Sequence, residues 1–195
     1  MRELMRPFET LVNMKSGQLN PCRHVIERRL SDMKGMYLDT QAYSRLLNQG
    51  DKLIYKVYEV DVAQEAGQLI YCTTIIYPGK VGNEYFMTKG HFHLKEDTAE
   101  IYFCLQGEGH LLMQARDGQV SFLQMKSGTI AYVSPYWGHR TMNTGDKEFI
   151  FLAVFPGDAG HNYRAVEDRG FAKILVEEGG SPQLKRNPKY VAEPE

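Results

Sequence analysis

Hydrophobic and polar positions divide this chain near residue 50. Upstream, Thr40–Leu47 has a helical rhythm. Tyr43, Leu46 and Leu47 recur on one face, and Asn48-Gln49-Gly50 supplies a stop. The residues before it read as an extended arm. From residue 53 the rhythm shifts to short runs rich in β-branched and aromatic residues. Strands are predicted at Leu53–Val60, Leu69–Tyr77, Glu84–Thr88, Glu100–Leu105, His110–Ala115, Val120–Met125, Thr129–Val133, His139–Asn143 and Phe149–Phe155. Turn signals such as Pro78-Gly79, Asp117-Gly118 and Pro156-Gly157 separate them. Many short strands at this spacing predict an all-β jelly roll or barrel. The expected plan is an arm and short helix over residues 1–50, a barrel over 51–178 and a tail over 179–195. In the last strand Phe149, Phe151, Ala153 and Phe155 alternate as a core face.

Composition narrows the function classes. An apolar fraction of 43% and a charged fraction of 24% are ordinary for a globular chain. A formal net charge of -1 gives no basic field for nucleic acid. No apolar run approaches the ~20 residues of a spanning helix, and the opening Met1-Arg2-Glu3-Leu4-Met5-Arg6-Pro7 lacks the apolar stretch of a signal peptide. Cys22, Cys72 and Cys104 are odd in number and lack metal-motif spacing, which predicts reduced thiols and a cytoplasmic location.

The chemistry concentrates in two short segments. Gly90-His91-Phe92-His93 is followed by Glu100 and later by Trp137-Gly138-His139-Arg140. On a strand, His91 and His93 share a face at i, i+2, and Tyr102 and Cys104 share the face of Glu100. Three imidazoles and one carboxylate suit a divalent transition metal, which polarises a carbonyl or hydroxyl. Singly, each residue has a bland reading: a chance His-x-His, a rim carboxylate, a turn histidine. Together, at strand starts beside glycine turns, they predict a metal pocket inside the barrel.

These residues resemble the cupin superfamily, whose first motif is a glycine-flanked His-x-His with a later Glu and Gly. Here His91, His93, Glu100 and Gly107 match, as do Gly128, His139 and Asn143 of the second motif. Ser134 and Tyr136 depart from its usual Pro and Gly. The long gap from His93 to Glu100 points to the cupin-type glucose-6-phosphate isomerases. So do Arg29-Leu30-Ser31-Asp32-Met33, Tyr77-Pro78-Gly79-Lys80-Val81-Gly82, Thr88-Lys89-Gly90, Pro135-Tyr136-Trp137 and Asp158-Ala159-Gly160-His161. The resemblance runs from about Arg28 to Glu178.

The resemblance implies a homodimeric cupin barrel of glycolysis and gluconeogenesis that interconverts glucose 6-phosphate and fructose 6-phosphate. It implies metal ligands at His91, His93, Glu100 and His139, with iron(II) foremost and manganese, nickel, cobalt or zinc accepted. Phosphate-binding positions fall on Thr74, Thr88 and Gly90, and Lys89 or Arg140 could add charge. A tyrosine common near the substrate falls on Phe155, while Tyr102, Tyr163 and His161 remain as polar pocket residues. Glu100 is the candidate base for a cis-enediol route, with His161 or Tyr102 relaying protons; a metal-assisted hydride shift is the other route. Trp137 and Tyr136 are expected to pack the barrel mouth. The competing readings are another cupin enzyme acting on a different phosphosugar and a non-catalytic sugar-phosphate-binding cupin.

Overall fold

The computed structural model describes residues 5–167 and 169–191. The chain enters through a hairpin of two short strands, β1 (Leu11–Val12) and β2 (Leu19–Asn20). Next come β3 (His24–Arg29), a 3-10 turn (Leu30–Met33) and α1 (Thr40–Asn48). The Asp39 side chain starts α1 by accepting the Ala42 N–H at 2.8 Å. Two long strands follow, β4 (Leu53–Glu59) and β5 (Leu69–Ile76), then two short ones, β6 (Lys80–Val81) and β7 (Glu84–Tyr85). After the loop carrying His91 and His93 come β8 (Glu100–Gln106), β9 (Glu108–Gln114), β10 (Val120–Lys126), β11 (Ile130–Val133), β12 (Gly138–Asn143) and β13 (Phe149–Pro156). The chain closes with α2 (Arg164–Glu167) and the hairpin of β14 (Lys173–Glu178) and β15 (Ser181–Arg186).

The result is the expected all-β jelly roll. A six-stranded sheet, ordered β11-β8-β13-β5-β4-β3, forms one wall, and a three-stranded sheet, β10-β9-β12, the other. The predicted core face holds: Phe149, Phe151, Ala153 and Phe155 are all buried. Apolar side chains from both sheets meet in one cluster, which supplies the main folding drive. Asn143 ties the walls together. Its Nδ2 donates to Ile76 O at 2.7 Å and to Lys147 O at 2.8 Å, and its Oδ1 accepts the Gly145 N–H.

Several elements differ from expectation. His24–Arg29, read as arm, is the edge strand of the six-stranded sheet and pairs with β4. The strand predicted over 84–88 ends at Tyr85, because the chain then leaves β6 to bridge β12 through Met87 and Met142. Residues 181–186, read as tail, form β15 and pair with β14; residues 192–195 of that tail lie outside the described residues. Tyr136 is exposed rather than packed at the mouth, while Trp137 packs against the core cluster. No helix among the described residues is long and apolar enough to cross a membrane.

Candidate metal centre and cavity

The two walls bring the predicted ligands together. One ligand atom from each of His91, His93, Glu100 and His139 lies within 4.8 Å of the others. Glu100 opens β8 and His139 lies second in β12. The loop that carries His91 is stitched to β12: the His91 N–H donates to His139 O at 3.1 Å, and the His139 N–H to His91 O at 2.9 Å. Gly90 makes that approach possible. It sits at φ 74°, and a Cβ there would lie 2.8 Å from the His139 carbonyl.

Hydrogen bonds behind the rings settle which nitrogens face inward. The Thr98 hydroxyl spends its hydrogen on Lys95 O at 2.6 Å. It therefore accepts from His93 Nδ1, 2.8 Å away. The Trp137 carbonyl only accepts, so His139 Nδ1 carries the hydrogen directed at it, at 3.3 Å. Nε2 is then the inward-facing nitrogen of both rings. There His93 Nε2 lies 3.2 Å and His139 Nε2 3.0 Å from Glu100 Oε2. His91 Nε2 and His139 Nε2 are buried without a hydrogen-bond partner. Ring nitrogens converging on a carboxylate, two of them buried without a hydrogen-bond partner, are the donor set of a cation site.

The charge states fit. Burial pushes the Glu100 carboxyl up, but without a cation the charge of the facing His139 and His93 rings and the hydrogen bonds they donate outweigh it and hold the group at about 2; a bound metal would take the place of those ring hydrogens. Burial, reinforced by His139, His161 and His93, keeps His91 well below the ordinary histidine value. His91 therefore offers a neutral nitrogen beside an ionised carboxylate. Burial also lowers His161 and raises Tyr102 well above the ordinary phenol value. His161 thus stays neutral and Tyr102 stays a hydrogen-bond donor.

A cavity of about 320 Å³ opens onto the cluster. Thr74, Thr88, Gly90, Tyr102, His161 and Tyr163 all line it, beside His91, Glu100 and His139. His93 sits behind, outside the lining. The His161 ring lies 4.3 Å from that of His91, centroid to centroid, and 5.4 Å from Phe155, which also lines the cavity. The Thr88 hydroxyl accepts the Thr141 N–H at 3.1 Å and lies 3.3 Å from the Thr141 hydroxyl.

Two anticipated cations fall elsewhere. Arg140 is buried behind the wall, where its Nε and Nη2 donate to Lys89 O at 3.1 and 2.6 Å and its guanidinium lies 4.8 Å from the centre of the Phe171 ring. Lys89 Nζ lies 3.9 Å from Glu167 Oε1, and neither side chain lines the cavity. Cys104 is buried in the core, and burial pushes its thiol up to about 11, which leaves it inert. Sequence reasoning missed Arg28, Tyr55, Glu59 and Cys72, which do line the cavity. Only Tyr55 carried a signal, the two-residue alternation along β4 that it shares with Val57.

Comparison with known proteins agrees with this geometry. A family model described as "Glucose-6-phosphate isomerase (GPI)" matches residues 27–193. A protein named glucose-6-phosphate isomerase from Thermococcus litoralis is 49% identical over 184 residues, covering 94% of this chain and 96% of the relative. Another of that name, from Pyrococcus horikoshii, is 46% identical over 94% of this chain and 97% of the relative. In shape, the oxalate decarboxylase of Bacillus subtilis is alike only in part. It has a TM-score of 0.44 and 24% identity, covering 55% of this chain and 26% of that one.

Proposed function

Because the chain belongs to the glucose-6-phosphate isomerase family, we propose that it interconverts glucose 6-phosphate and fructose 6-phosphate in this cavity with one divalent metal per subunit. The carrying observation is the cluster of four ligand atoms within 4.8 Å, opening onto a cavity that Thr74, Thr88 and Gly90 share. His91, His93, Glu100 and His139 would hold the metal, iron(II) foremost, with manganese, nickel, cobalt or zinc as substitutes. A bound metal supplies a Lewis acid for the oxygens at C1 and C2.

The chain's own residues carry the proton chemistry. Thr74 and Thr88 hydroxyls and the Gly90 N–H bind the phosphate. Glu100 removes the C2 proton of the open-chain aldose and returns it to C1 after a cis-enediol. Neutral His161 moves a proton between the two oxygens, Tyr102 donates a hydrogen bond to a sugar oxygen, and Tyr163 closes over the substrate. A bound metal would draw on the same carboxylate, so ligation and basicity compete at Glu100. The protein acts in the cytoplasm, in glycolysis and gluconeogenesis, as a homodimer.

The first test is turnover of fructose 6-phosphate by chelator-stripped protein with single divalent metals restored. Activity should return with metal and be lost in His91→Ala. Folded, metal-loaded protein without turnover would move the reading to another phosphosugar or to a binding role. Glu100→Gln should lower kcat by about 10²-fold or more, the usual scale of a general base. In D2O the glucose 6-phosphate formed from fructose 6-phosphate should carry solvent deuterium at C2. Complete retention of the substrate hydrogen would instead indicate a hydride shift.

A further inference from the structure

One wall of the cavity is laid down by β3 and β4. Side chains alternate along a strand, so His24, Ile26 and Arg28 share the cavity face, and Tyr55, Val57 and Glu59 share it on the neighbour. The register pairs Arg28 with Tyr55 at one end of the wall and His24 with Glu59 at the other. At the usual strand rise the two ends stand about 13 Å apart. The Tyr55 hydroxyl reaches the Lys89 backbone, between Thr88 and Gly90, so the Arg28 end is the end of the phosphate candidates.

Arg28 and Glu59 are both half-buried, and among the described residues neither forms an ion pair. Arg28 Nη1 donates only to the Glu27 carbonyl, at 3.2 Å, and Glu59 Oε1 accepts a long 3.5 Å contact from Gln64 Nε2. With Lys89 beside Glu167 and Arg140 turned away, Arg28 is, among the described residues, the one Lys or Arg side chain on the cavity wall. Both charges reach the same interior point. Burial dominates at the Tyr163 hydroxyl, but Arg28 pulls it down and Glu59 pushes it up. A half-buried cation and carboxylate, each unpaired and held apart on one wall, give the cavity an electrical direction.

Resting on the isomerase reading, we infer that this wall selects sugars carrying a single terminal phosphate: Arg28 draws the phosphate to its end, and Glu59 rejects a second phosphate at the other. Glu59 is then a specificity-determining residue that keeps sugar bisphosphates out of the metal centre. Like charges brought together in a confined site cost enough to exclude a ligand, and an unlike pair steers it.

The test uses the intact, metal-loaded protein. Fructose 1,6-bisphosphate is measured as an inhibitor of fructose 6-phosphate turnover, and the binding of the bisphosphate and of inorganic phosphate is measured by calorimetry. Glu59→Gln should tighten bisphosphate inhibition, relative to KM, about tenfold or more. Glu59→Asp keeps the charge and should keep the rejection, which separates charge from folding. Arg28→Gln should raise KM about tenfold or more and weaken phosphate binding, with Arg28→Lys recovering part of the loss. Equal bisphosphate inhibition of wild type and Glu59→Gln, or unchanged phosphate binding in Arg28→Gln, would overturn the proposal. If no variant turns over fructose 6-phosphate, the isomerase reading falls, and calorimetry still decides the charge selection.

Discussion

At the scale of single residues, protonation governs this site. His91, His161 and His110 are all held below the ordinary histidine value of 6.5, chiefly by burial. Below pH 6.5 the unfolded chain binds protons that the folded protein refuses, so stability falls as pH falls; above pH 6.5 this contribution is constant. Glu100, held at about 2 against an ordinary 4.5, acts in the same direction below 4.5. The denaturant midpoint of chelator-treated protein should therefore decline steadily from pH 7.5 to pH 4. A midpoint that rises on acidification would contradict this assignment. The four clustered residues were readable because their spacing forms a motif. Arg28, Glu59 and Cys72 were not, because an isolated polar or thiol residue in a strand looks the same whether it faces water or a cavity.

At the scale of elements, legibility followed hydrophobic contrast. β13 is a continuous apolar run bounded by turn residues, and β8 sets Glu100, Tyr102 and Cys104 on one face, so both read as strands. β3 did not. Its outward residues, Val25, Glu27 and Arg29, meet solvent, and its inward residues, His24, Ile26 and Arg28, meet a polar cavity. With no dry side, an edge strand has no period-two signature. β7 was overread because Phe86 and Met87 are apolar yet belong to a crossing between sheets. The cohesion of these elements rests partly on one side chain. Asn143→Ala would leave the Ile76 and Lys147 carbonyls without their buried donor, at a cost of about 1–3 kcal/mol for each group left unsatisfied. Thermal melting should show a lower midpoint, whereas an unchanged melt would mean that water replaces the amide.

At the scale of the whole molecule, the outer face of the six-stranded sheet carries an exposed apolar patch. Tyr132 and Ile101 are register partners, 58% and 42% exposed, and Ile130 beside them is 68% exposed. A second copy of the chain would cover these residues in the proposed homodimer. Tyr132→Glu should shift the mass seen by light scattering from dimer to monomer, and an unshifted mass would place the interface elsewhere. The edge position of β3 has its own consequence. Within its sheet it is hydrogen-bonded to β4 alone, and it lies far in sequence from the four clustered residues. Mutations there can redraw which sugars are accepted while leaving the reactive centre untouched. Discrimination and reactivity are thus separately heritable, and a lineage of such barrels can change its diet without relearning its chemistry.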